Sequence, residues 1–156
     1  MNINFLERKS VFEVEEGLKF QPKFDENGLI PVVTSDASDN NILMHGYMNE
    51  EALSKSIKTG YVHYWSRSRG CLWEKGKTSG LKQEIIEIKV DDDQDCLWFS
   101  VKIPGIGASC HVGYKSCFYR KISLDKCERQ KLVFTENKKV FDPKKVYGNA
   151  PNPTKL

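Results

Sequence analysis

Only one stretch of this chain carries a complete helix signal, and its other apolar residues come in short runs closed by turn residues. Asn49 is a strong N-cap, Glu50 and Glu51 suit a first turn, Lys55 and Lys58 suit a last turn, and Gly60 is a natural C′ residue. Ala52, Leu53, Ser56 and Ile57 recur at helical spacing, which predicts a helix over 50–58. Residues 29–33 and 42–48 are strand-like runs on either side of an Asp/Asn/Ser-rich turn, and read as hairpin partners. Residues 61–66, 84–90, 96–103 and 117–122 are further strand candidates, with Ile86, Ile88 and Val90 expected on one face. Residues 67–82 are polar and punctuated by glycine, broken only by Cys71-Leu72-Trp73. One helix among so many short strands predicts a single small antiparallel-rich α+β domain.

The 156 residues are 39% hydrophobic, enough for one cored domain, and show no internal repeat. No apolar stretch approaches the roughly 20 residues that span a bilayer, and residues 1–10 lack a signal-peptide core, so a cytoplasmic protein is expected. The formal charge of +3 is a poor footprint for a nucleic-acid binder. That charge is concentrated: residues 123–156 hold eight Lys/Arg against four acids. Three parts follow: an N-terminal segment, 1–27, packing on the body as a short helix or strand; a body, 28–122; and a basic C-terminal arm, 123–156. Val140, Phe141, Val146 and Tyr147 give the arm apolar residues with which to dock as a strap, the alternative being a frayed end.

Five cysteines in a reducing compartment point away from a disulfide framework. Cys110-His111 followed by Cys117 offers two soft thiolates, which with one more ligand and an open position suit catalytic zinc; two buried cysteines beside a surface histidine is the plain alternative. Asp91, Asp93 and Asp95 would share one side of an extended chain, with Asp92 opposite, and three such carboxylates suit Mg²⁺; a solvated acidic turn is the alternative. The glycine and distal glutamate of a calcium loop are missing. Arg67-Ser68-Arg69-Gly70 and Lys75-Gly76-Lys77-Thr78-Ser79-Gly80 combine cations, hydroxyls and glycines, as phosphate-cradling loops do, although neither is a P-loop. Trp65 and Trp73 flank the first of these and read as core or as stacking residues. His45 and His63 lie in strand-like runs and read as structural.

Four motifs stand in order: residues 48–53 (MNEEAL), 64–69 (YWSRSR), 73–80 (WEKGKTSG) and 110–120 (CHVG…SCFYR). Together they resemble the phosphoribosyl-AMP cyclohydrolases of histidine biosynthesis, from about Gly28 to Ile122. The resemblance implies a cyclohydrolase-like catalytic domain over 28–122 that opens the adenine ring of phosphoribosyl-AMP between N1 and C6. It also implies an intertwined homodimer with zinc at the interface, ligands coming from both chains, and Mg²⁺ on an acidic cluster. On this sequence Cys110 and Cys117 match zinc ligands, Asp91, Asp93 and Asp95 match magnesium carboxylates, and His111 matches a proposed general base. Arg67, Ser68, Arg69, Trp73, Lys75, Gly76, Thr78 and Ser79 match substrate contacts.

One departure from the family pattern Asp-Cys-Asp-x-Asp matters. Its cysteine, the third zinc ligand, is replaced here by Asp92, with Cys96 the next cysteine along. Ligation by Asp92 needs no shift of the strand, whereas ligation by Cys96, the alternative, would need one; Asp92 gives a harder donor set, more open to Fe²⁺ or Mn²⁺. A divergent paralogue is therefore an expectation, as are two alternatives on the same fold: a hydrolase for another cyclic amidine or purine, and a metal-binding module without turnover.

Overall fold

The computed structural model describes residues 3–126 and 131–154. Its centre is a four-stranded sheet built from β1 (Ile30–Asp36), β2 (Ile42–Met48), β5 (Glu84–Val90) and β6 (Leu97–Lys102), in the order β2-β1-β6-β5. β1 and β2 form the expected hairpin, with His45 opposite Val33. β1 and β6 run parallel, while β5 pairs antiparallel with β6. A parallel pair needs a crossover, and the chain between β2 and β6 supplies it. That segment holds α2 (Glu50–Thr59) and a separate hairpin of β3 (His63–Ser66) and β4 (Cys71–Glu74). The expected α+β class is observed, as a mixed sheet with mostly antiparallel pairs.

The helix signal was complete because each end is closed by its own residues. Asn49 accepts a hydrogen bond from the Ala52 amide, and Gly60 sits left-handed at φ 73°. Ser56 is buried, donates to the Ala52 carbonyl and accepts from the His63 amide, tying α2 to β3. Ile30, Val32, Leu43, Met48, Leu53, Val62, Leu97, Phe99 and Val101 are fully buried between helix and sheet. Phe5, Phe20 and Phe24 pack against one side of this core. Helix α1 (Val11–Glu15) buries only Val14 and leaves Val11 and Phe12 outside.

Four local expectations are corrected. Cys71–Glu74, within the stretch read as polar and glycine-punctuated, is a strand, and Cys71 is exposed. In β5 the pairing shifts between Ile85 and Glu87; this bulge turns Ile85 and Ile88 to the core and leaves Ile86 outside. The strand expected over 117–122 begins only at Arg120, because Cys117 and Phe118 still belong to the preceding loop. That strand, β7 (Arg120–Ile122), pairs with β8 (Leu132–Phe134), which the sequence did not suggest. The arm then turns through α3 (Pro143–Tyr147), so the described residues hold eight strands and three helices. Cys127 lies outside the described residues.

Candidate functional site

The sequence between Ala108 and Phe118 folds into a tight loop that brings its two cysteines together. The Ser109 amide donates to the Lys115 carbonyl at 2.8 Å, and the Cys110 amide to that of Tyr114 at 3.2 Å. The far end is fastened to β2, where the Cys117 amide donates to the Leu43 carbonyl and Ser116 Oγ to the Ile42 carbonyl, each at 2.7 Å. A buried polar chain supports the near end. Thr34 donates to Tyr64, Tyr64 Oη to Gln83 Oε1, and Gln83 Nε2 to Ser109 Oγ, at 2.6, 2.8 and 2.7 Å. Gly46 lets the Tyr64 ring lie there, since a Cβ would stand 2.7 Å from the ring.

Cys110 and Cys117 lie close together, Cys110 buried and Cys117 exposed at the surface. The Cys117 thiol donates to Cys110 and pulls the Cys110 pKa well below the ordinary thiol value, with help from backbone amides and Lys75 against the cost of burial. Cys117 is correspondingly pushed up by that same bond and by burial. Lys75 is itself buried; its Nζ donates to the Ser109 carbonyl at 2.5 Å and lies 5.1 Å from the Trp73 ring centre. Burial lowers the Lys75 pKa, and the two cysteines oppose that shift.

His111 lies next to this pair. Its pKa is lowered, first by burial and then by Lys75, while the Asn152 side chain acts the other way. Its Nε2 is buried without a hydrogen-bond partner among the described residues. A neutral imidazole with an uncommitted ring nitrogen can take a proton.

These groups open onto a cavity of about 900 Å³. Arg67, Arg69, Trp73, Lys75, Gly76, Thr78 and Ser79 line it together with His111 and Cys117; of the expected substrate residues, Ser68 is not part of the lining. Arg67 stacks on Tyr47 at 3.9 Å, and Arg69 bonds Ser66 Oγ at 3.0 Å. His45, read from the sequence as structural, also lines the cavity, with its pKa lowered by burial and by Arg67. His63 is structural: buried, with Nδ1 2.8 Å from the Tyr61 carbonyl. The arm supplies lining that sequence reasoning missed, including Lys139, Lys144, Tyr147 and Asn152.

The acidic run lies elsewhere. Asp91, Asp93 and Asp95 present carboxylate oxygens within 4.8 Å of one another, an oxygen set that fits a hard cation. Lys23 stands 3.8 Å from Asp93 and 3.6 Å from Asp95. None of the three lines the large cavity. Asp92 faces a smaller hollow against α1, beside Val14 and Leu18, and so stands apart from Cys110 and Cys117 within one chain. Among the described residues, no third metal-type side chain of the same chain joins the cysteine pair. Cys96 is half-buried at the start of β6, its pKa raised by burial and by Asp91 and Asp95.

A family model described as phosphoribosyl-AMP cyclohydrolase matches residues 44–119. A protein of that name from Bradyrhizobium diazoefficiens is 48% identical over 135 residues, covering 86% of this chain and 94% of the relative. One from Rhodopseudomonas palustris is 50% identical over 86% of this chain and 91% of its own length. One from Brucella anthropi is 53% identical over 70% of this chain and 77% of its own length.

Proposed function

We infer from its membership of the phosphoribosyl-AMP cyclohydrolase family, to which this chain belongs, that it is the histidine-biosynthesis hydrolase that opens the adenine ring of phosphoribosyl-AMP between N1 and C6. The observation that carries this reading to the site is the convergence of His111, Cys117 and the Arg/Lys-rich hairpin on one cavity. Ribosylation at N1 favours positive charge on the purine, which makes C6 electrophilic. Water adds its oxygen to C6, His111 takes the proton released, and the C6–N1 bond breaks with a proton returned to N1. The product is an aminoimidazole carboxamide that keeps both ribose phosphates. Arg67 and Arg69 offer guanidinium forks to a phosphate, and Trp73 offers a face to a flat ring.

The donor chemistry fits two metals. Cys110 and Cys117 would hold zinc with Asp92 of a second copy in a homodimer, because Asp92 of the same chain is directed elsewhere. Asp91, Asp93 and Asp95 would hold Mg²⁺. Zinc, when bound, supplies a water acidic enough to react near neutral pH. A soluble cytoplasmic enzyme suits this chemistry, and no helix among the described residues is long and apolar enough to cross a membrane.

The test is incubation of purified protein, supplied with Zn²⁺ and Mg²⁺, with phosphoribosyl-AMP while ultraviolet absorbance follows ring opening. Turnover is expected, and His111→Asn should lower kcat by about a hundredfold or more. No ring opening under these conditions refutes the reading.

A further inference from the structure

The substrate of the proposed reaction carries a phosphate at each end of an extended molecule, so its site needs two separate groups of cations. Five cations line the cavity: Arg67, Arg69, Lys75, Lys139 and Lys144. Arg67 and Arg69 lie on one turn, two residues apart, and suit one phosphate. Lys75 is committed, with its ammonium buried against the Ser109 carbonyl and beside the two cysteines. The remaining two both come from the C-terminal arm, beyond residue 119 where the family match ends. Neither is ion-paired with a carboxylate among the described residues.

The arm holds these lysines by specific anchors. The Glu136 carboxylate accepts from the Lys115 amide at 2.8 Å and from the Ser116 amide at 2.9 Å. Phe134 packs beside the stacked rings of Tyr114 and Tyr119. One residue after Lys139, the Val140 amide donates to the Gly113 carbonyl at 2.8 Å. Gly113 makes that approach possible, because a Cβ there would stand 2.6 Å from the Phe141 carbonyl oxygen. Asp142 caps α3, which sets Lys144 in its first turn. The anchors bind the arm to the same loop that carries Cys110, His111 and Cys117.

We propose that Lys139 and Lys144 form a second phosphate subsite, which the arm brings to the cavity and which takes the end of the substrate not held by Arg67 and Arg69. The subsite rests on the reaction proposed above. Its contribution is to binding, with no part in the chemistry, so it acts equally on the ground state and the transition state.

Steady-state kinetics of the full chain with phosphoribosyl-AMP test it. Lys139→Ala/Lys144→Ala should raise KM by about tenfold to a hundredfold, since two charge-assisted hydrogen bonds are lost, with kcat changed by less than about threefold. The increase of KM with added KCl should also be shallower than in the wild type. Lys139→Arg/Lys144→Arg should restore KM. Lys58→Ala, which removes one positive charge from the exposed side of α2, should leave both constants alone. Should the double alanine variant fold poorly, Lys139→Gln and Lys144→Gln singly should each give a smaller rise in KM. Wild-type KM in the lysine variants, or a loss confined to kcat, overturns the subsite while leaving the reaction intact. Absence of wild-type turnover instead removes the reaction, and the subsite with it.

Discussion

At the scale of single residues, the site depends on charged and polar groups set close to one another. Cys110 is held below the ordinary thiol range by Cys117 and by the nearby Lys75 ammonium, while Cys117 is pushed up. The loop that makes this pairing is fastened at its back by Lys115, whose Nζ reaches Asp36 and Asp39 at 3.0 Å each in the β1–β2 turn. Asp39 is depressed from 3.8 to about 2, mainly by the Asn41 amide and then by Lys115. A depressed carboxylate stabilises the fold fully above its unfolded pKa, and that stability is lost as pH falls through the folded value. The urea midpoint of Asp39→Asn should therefore lie below wild type at pH 5 and above, with the gap closing as pH drops from about 4 towards 2. A gap that stays constant over that range contradicts the assignment. The cysteines and His111 were legible because their motif is local. The position of His45 on the cavity was not, since the cavity forms only when the hairpin carrying Arg67 packs beside β2.

Among the elements, those with complete local signals were readable and those defined by a partner were not. Helix α2 carries its own caps, and β2 has the predicted bounds, 42–48. The face of β5 was misjudged because the bulge after Ile85 breaks the two-residue period, and a bulge is fixed by the register with β6. Strand β8 is three residues long and exists through its pairing with β7. The arm beyond it docks through Gly113, at φ 104° and in contact with Phe141. Gly113→Ala meets both a strained backbone and a clash, and should cost about 1–3 kcal/mol of stability. Because the clash falls on the arm, limited trypsin digestion should release residues after Lys138 or Lys139 faster than in the wild type while the body survives. Unchanged digestion and melting would show that the arm does not depend on this contact.

On the scale of the whole molecule, one chain sets Cys117 on the cavity with Cys110 behind it and its acidic run against α1, which separates the donors of the proposed zinc set. A two-fold dimer resolves that separation if each copy sends Asp92 to the cysteine pair of the other. Leu18 is exposed beside the acidic run, and Val11 and Phe12 of α1 are exposed as well. Complementation tests the shared site directly. Asp92→Ala keeps the cysteine pair, and Cys117→Ser keeps Asp92, so each homodimer should hold little zinc and turn over poorly. A heterodimer of the two has one intact site, made from the cysteines of the first variant and Asp92 of the second. After subunit exchange at equal concentrations, half of the dimers are mixed, and about a quarter of wild-type activity and zinc content should return. If all ligands come from one chain, exchange restores nothing, because each chain keeps its own defect. Sedimentation before and after mixing confirms that dimers exist and have exchanged, so a null result then counts against a site shared between chains.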